Sequence, residues 1–259
     1  MIDTEVKSVS LLPLGMLTLD QSVLTHRQFP GQKVDCPVIA AFIEMADGEH
    51  ILFDTGLPPA FLEDDDFLPA NQANTICGYT VEDDIRNRLR AVGAMPADVK
   101  IVVNSHFHWD HSGANYLFPH ARFLVQEKEY RFARQPDAFI NPAYTPKLFD
   151  IGAETRLMPG DEVIKPGILA ITTPGHTPGH QSLMIMLPSE RAMILTGDAM
   201  MCPANLDPAL PPGNAHTTEQ AVASIQRLKA LADFHDGELV ICHDPALWDK
   251  WKPAPHVYA

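Results

Sequence analysis

The chain has 259 residues, with 33 acidic against 19 basic side chains and a formal charge of −14. No cluster of Lys and Arg is long enough to track a phosphate backbone, which argues against nucleic acid and anionic membrane as partners. The length suits one α/β domain spanning 1–259 with a full core, and no apolar run reaches the roughly 18 residues that a membrane span needs.

The first twenty residues, "MIDTEVKSVSLLPLGMLTLD", carry acids where a signal peptide carries positive charge, and Pro13 and Gly15 break the apolar stretch. The segment reads as mature cytoplasmic sequence leading into a loop, its apolar side chains free to pack on a neighbouring copy, so monomer and homodimer both stay open. Short apolar strands follow: "VIAAFIEM", "HILFDTG", "VKIVVNSH", "ARFLVQ", "ILAITTPG", "QSLMIML", "AMILTGD" and "GELVICHD", most of them ending in Gly, Asp or His. Helical patterns fall between some of them. One runs over residues 80–93 with Thr80 and Gly93 as caps, one over 127–135, and one from Thr217 or Thr218 to 233. Residues 57–79 and 135–150 are rich in Pro, Asn and Asp and too long for simple connections, the mark of functional lids or partly disordered segments. Cys36, Cys77, Cys202 and Cys242 show no CxxC spacing and read as free thiols in a reducing compartment.

The densest chemistry is "VVNSHFHWDHSG". A strand running to Ser105 or His106 lets His106 and His108 converge on one metal, and the turn after it lets Asp110 and His111 face a second. Three further strand ends carry a candidate ligand: His176 in "TTPGHTPGH", Asp198 in "LTGDAM" and His243 in "VICHDP". Nitrogen and oxygen donors without sulfur suit zinc, with iron, manganese or cobalt as alternatives. A His-rich surface turn would not place partners at three later strand ends. Asp54 in "LFDTG" reads as an orienter of a ligand, and His180 as a hydrogen-bonded structural histidine.

With these motifs in this order, the chain resembles the metallo-β-lactamase superfamily from about residue 38 onward, and within it the N-acyl-homoserine lactonases. "NSHFHWDHSGANYLFPHARFLVQEKEY" and the ending "HDPALWDKWKPAPHVY" carry the closer likeness. The resemblance implies an αβ/βα four-layer sandwich of two mixed sheets flanked by helices. It implies His106, His108 and His176 around one metal, Asp110, His111 and His243 around the other, and Asp198 bridging the two with one oxygen. It further implies quorum-quenching hydrolysis of a lactone ring by metal-held hydroxide, with Asp110 passing a proton to the leaving group.

Those lactonases carry a tyrosine three residues after the bridging aspartate, and this chain has Met201, whose thioether cannot donate a hydrogen bond. Losing such a donor costs roughly 100 to 1,000-fold in turnover, so Tyr79, Tyr116 or Tyr144 is expected to replace it, or the substrate differs. Phe107, Trp109, Met201 and the acidic residues 63–66 are expected to line or border the pocket. The alternatives are a lactonase of the vitamin B6 breakdown pathway type, a glyoxalase II-like thioesterase, and a metal-binding pseudoenzyme. Only about sixteen residues follow His243, short of the basic helical region of glyoxalase II.

Overall fold

Residues 6 to 45 form a long antiparallel hairpin in the computed structural model, which describes residues 4–189 and 191–259. Its arms are β1 (Val6–Asp20) and β2 (Lys33–Met45), followed by β3 (His50–Phe53), β4 (Ile76–Gly78), β5 (Val99–Val103), β6 (Arg122–Gln126) and β7 (Thr155–Met158). These build one sheet in the order β4-β1-β2-β3-β5-β6-β7. A second sheet holds β8 (Glu162–Lys165), β9 (Ile168–Thr172), β10 (Gln181–Met186), β11 (Ala192–Leu195) and β12 (Glu238–Val240), in the order β12-β11-β10-β9-β8.

The period-two side-chain alternation of these strands has both of its faces buried, which is why they read as continuous apolar runs. Ile39, Ala41, Ile43, Ile51, Phe53, Ile101 and Val103 face inward and meet Leu183, Ile185, Met193 and Leu195 of the other sheet. Their alternates Ala40, Phe42, Leu52 and Val102 face outward, under Ile85 and Leu89 of the helix Ile85–Ala91 and Ala133 of the helix Glu127–Arg134. On the second sheet Ile171, Met184 and Ile194 face outward under Ile225, Leu228 and Ala232 of the helix Thr218–Phe234. The result is the expected four layers of helix, sheet, sheet and helix.

Several boundaries differ from the sequence expectations. The N-terminal segment, not counted among the expected strands, is one: β1 pairs with β2 along its length, absorbing Pro13 and Gly15 at a register shift between Pro13 and Met16. Its Leu11, Leu12, Leu14 and Leu17 are buried within the chain, so they do not offer themselves to a neighbour. The helix expected from Thr80 is split. Thr80 caps a short turn at Val81–Asp83 through a capping box, and Asp84 then caps Ile85–Ala91 by accepting the Arg86 N–H at 2.8 Å. The two long loops are held by short helices and by β4, with Gln72 Nε2 donating to the Pro142 carbonyl at 2.8 Å to join them.

Topology gathers the candidate ligands at one rim. β3 and β5 run parallel with Phe53 beside Val103, so Asp54 and Ser105 emerge side by side. β11 and β12 run parallel with Leu195 beside Val240, so the chain reaches Asp198 and His243 at a common level. β10 runs antiparallel to β11, which brings the turn before Gln181, with His176 and His180, to the same rim. The Gln181 N–H donates to the Ser105 carbonyl at 2.9 Å and joins the two sheets there.

Candidate metal centre

Two groups of buried side chains converge at this rim, sharing one carboxylate. In the first, His176 Nε2 lies 3.2 Å from His106 Nε2 and 3.0 Å from His108 Nδ1, with Asp198 Oδ2 3.2 Å from His176 Nε2. In the second, Asp198 Oδ1 lies 3.1 Å from His111 Nε2 and 3.3 Å from His243 Nε2. Asp110 Oδ2 closes that group at 3.5 Å from His243 Nε2 and 3.7 Å from His111 Nε2. Asp198 thus turns one oxygen to each group. Cys242, overlooked in the sequence, also belongs here: its Sγ lies 3.1 Å from Asp198 Oδ1. Its place beside His243 was the only signal.

The donor set fits divalent cations. His111 Nε2 and His243 Nε2 are buried with no hydrogen-bond partner among the described residues, an expensive arrangement unless something else answers their lone pairs. Burial holds His106 and His108 well below the ordinary imidazole range and lowers His176, favouring neutral rings in which one nitrogen carries a lone pair able to coordinate. Burial also acts on His111 and His243. Asp198 and Asp110 outweigh it at His111, and Cys242 and Asp198 at His243, so both sit well above that range. A proton or a metal cation answers the same negative field.

Outer contacts fix the ring orientations, as metal sites require. Asp54 Oδ2 pairs with His111 Nδ1 at 2.9 Å and accepts the Ser105 hydroxyl at 2.8 Å, while Oδ1 accepts the Ser105 N–H at 2.7 Å. Asp54 adopts φ +60, a left-handed conformation that aspartate tolerates better than most residues. His243 Nδ1 bonds the Pro37 carbonyl at 2.8 Å, and Ser105 Oγ meets His106 Nδ1 at 2.9 Å. His180 plays the structural part expected of it. Burial holds it down at about 3, and its neutral Nε2 accepts the Asp198 N–H at 2.9 Å while Nδ1 meets Thr173 Oγ1 at 2.8 Å. At Gly197 a Cβ would come within 2.7 Å of the His180 ring, so glycine is needed in that turn.

A cleft of about 440 Å³ opens over both groups, reaching His108, Trp109, Asp110, Asp198 and Met201. Trp109 and Met201 line it as expected; Phe107 does not. Its side chain is buried and stacks on Phe149 with ring centroids 4.7 Å apart, which takes it out of the cleft. Phe107→Ala is therefore expected to cost about 3–5 kcal/mol of stability by leaving a cavity, with KM unchanged, while Trp109→Ala raises KM. Chemical denaturation beside steady-state kinetics checks both. The acidic residues 63–66 are not in the lining either, and Asn71, Gln72 and Thr75 represent that loop. None of the three tyrosines is among the residues lining the cleft. Tyr79 donates to the Leu57 carbonyl at 3.3 Å, Tyr116 accepts the Ala60 N–H at 3.0 Å, and Tyr144 donates to Glu129 Oε1 at 3.0 Å.

Two mixed sheets between helices, with a histidine and aspartate cluster at their shared rim, define a class of metal-dependent hydrolase folds. The metallo-beta-lactamase superfamily profile matches residues 34–243, and the chain belongs to that superfamily, in its N-acyl homoserine lactonase-like group. It is 41% identical over 180 residues to the N-acyl homoserine lactonase AttM of Rhizobium radiobacter, covering 67% of this chain and 68% of that protein. It is 31% identical over 241 residues to AiiA of Bacillus thuringiensis subsp. kurstaki, covering 92% and 94%. A solved N-acyl homoserine lactone hydrolase, with N-hexanoyl-L-homoserine at its catalytic metal center, superposes with a TM-score of 0.87 at 29% identity, covering 98% of this chain and 99% of that one. A B. thuringiensis AiiA variant with N-decanoyl-L-homoserine bound gives 0.85 at 30%, covering 98% and 99%.

Proposed function

We propose that this protein is a metal-dependent lactonase that opens the ring of N-acyl homoserine lactones, using two divalent cations, zinc foremost. The observation that carries this reading is the pair of donor groups sharing Asp198 beneath an open cleft, in a chain whose relatives are named for that activity. His106, His108, His176 and Asp198 Oδ2 would hold one cation; His111, His243, Asp110 and Asp198 Oδ1 would hold the other. When bound, such a pair supplies Lewis acidity, lowering the pKa of a shared water toward 7 and polarising an ester carbonyl.

The chain's own residues supply orientation and proton transfer. Asp110 lines the cleft beside His111 and His243, and its carboxylate would take the proton released as water adds to the acyl carbon and hand it to the ring oxygen as the acyl carbon–oxygen bond breaks. Trp109 and Met201 present apolar surface that excludes water next to the reacting ester. Four free cysteines, three of them buried, support a reducing, cytoplasmic setting. No helix among the described residues is long and apolar enough to cross a membrane.

Metal content measured by elemental analysis, with a panel of lactones, thioesters and β-lactams, tests the assignment. Two metal equivalents and preferential opening of N-acyl homoserine lactones are expected; turnover of a thioester or β-lactam with no lactone opened would defeat it.

Proton competition gives a second expectation. In the metal-free protein the raised affinities of His111 and His243 for protons stabilise the fold fully below the ordinary value of 6.5, and that contribution is lost as pH rises through their elevated folded values. The thermal midpoint of metal-free protein should therefore fall as pH rises above 6.5, while metal-loaded protein resists because the cation takes the place of the protons. Calorimetry of both forms across that range checks the sign.

A further inference from the structure

We infer that Glu129 is a positioning residue that clamps the two loops carrying His106, His108 and His176 into one unit, preorganising the first nitrogen trio for its cation. The inference rests on the metal-site reading above. Glu129 lies in the helix Glu127–Arg134 and is 0% exposed. A buried carboxylate is costly unless its oxygens are answered, and here donors from outside its own helix answer them. Oε1 accepts the Phe107 N–H at 3.0 Å and the Tyr144 hydroxyl at 3.0 Å, and Oε2 accepts the Thr177 hydroxyl at 2.5 Å.

The positions of these donors carry the argument. Phe107 sits between two ligands of the trio, and its N–H lies beyond the end of β5, where no strand ladder serves it. Thr177 follows the third ligand directly. Tyr144 holds its ring edge-on to His108, with centroids 4.8 Å apart and planes at 75°. Gly179 packs so closely on the helix that a Cβ there would fall 1.9 Å from the Glu129 nitrogen. One carboxylate therefore ties together a loop from each sheet and a side chain packed on a ligand ring. The rings of the second group are oriented instead by Asp54 and the Pro37 carbonyl.

The test titrates metal-depleted protein with Zn2+ against a chromophoric chelator, for wild type, Glu129→Gln and Thr177→Val, alongside thermal midpoints without metal. Wild type is expected to take two equivalents. Glu129→Gln should keep one at wild-type affinity and bind the other about 10 to 100-fold more weakly, the range for loss of a group that orients metal ligands. Thr177→Val removes one donor and spares the carboxylate, so it should weaken the same equivalent by a smaller factor even if Glu129→Gln fails to fold. Selective weakening of one equivalent is not expected of a residue that only holds the fold together. If the folded variants bind both equivalents like wild type, whatever their thermal midpoints, the clamp is refuted. Wild type binding no zinc would overturn the metal-site reading and this inference with it.

Discussion

Replacing Asp198 by Ala is expected to abolish metal uptake at both groups and lower kcat/KM by about a thousand-fold or more. Its two oxygens serve different groups, Oδ2 beside His176 and Oδ1 beside His111 and His243, so no other side chain takes over either role. Cation-based charge stabilisation is worth several kcal/mol, and each 1.4 kcal/mol is tenfold in rate. Burial opposes the charge on Asp198, but His111, His243 and His176 hold its carboxyl well below the usual carboxylate range. The variant thus also strips the histidines of their anionic partner. Elemental analysis and steady-state kinetics read the outcome together: two equivalents retained by Asp198→Ala would show that the carboxylate is not shared.

The second large effect is expected at Asp54, which touches no candidate cation position and works through other groups. Asp54→Ala leaves the Ser105 N–H, the Ser105 hydroxyl and His111 Nδ1 without their buried acceptor. At roughly 1–3 kcal/mol per unsatisfied group, with further strain from alanine at φ +60, a loss of about 3–5 kcal/mol is expected even after local relaxation. Asp54→Asn keeps one acceptor oxygen and a residue that tolerates the left-handed backbone. It should lose about half as much stability, yet bind the metal beside His111 about 10 to 100-fold more weakly, because the ring loses its anionic orienter. Denaturant unfolding separates the two variants, and metal titration shows whether orientation or folding carries the effect.

Much of this site was legible because its signals are local. His106, His108, Asp110 and His111 lie within six residues, and His176, Asp198 and His243 each follow an apolar strand, so residue type and position sufficed to nominate all seven. Asp54 showed itself through "LFDTG" for the same reason. Strand interiors were equally readable, since both of their faces are buried and their apolar runs are unbroken. β1 was hidden by Pro13 and Gly15, which signal a break in an isolated segment and here sit in an irregularity of a paired hairpin.

Side-chain destinations were a different matter. Phe107 and Trp109 flank His108 with equal claims on a pocket, and the loop's path sends one to the core and the other to the cleft. Tyr144 had a hydroxyl to offer substrate until Glu129, fifteen residues away in sequence, took it. Glu129 itself was one residue within an expected helix over 127–135, and Cys242 one of four free thiols. Sequence alone determined which atoms are available for coordination and that strands would carry them to a common rim. Tertiary structure decided how they are shared: which oxygen of Asp198 faces which histidines, and which buried carboxylates hold the ligand loops still. Ligand chemistry is a property of single residues, whereas hydrogen-bond partnership in a buried site depends on what distant segments bring within 3 Å.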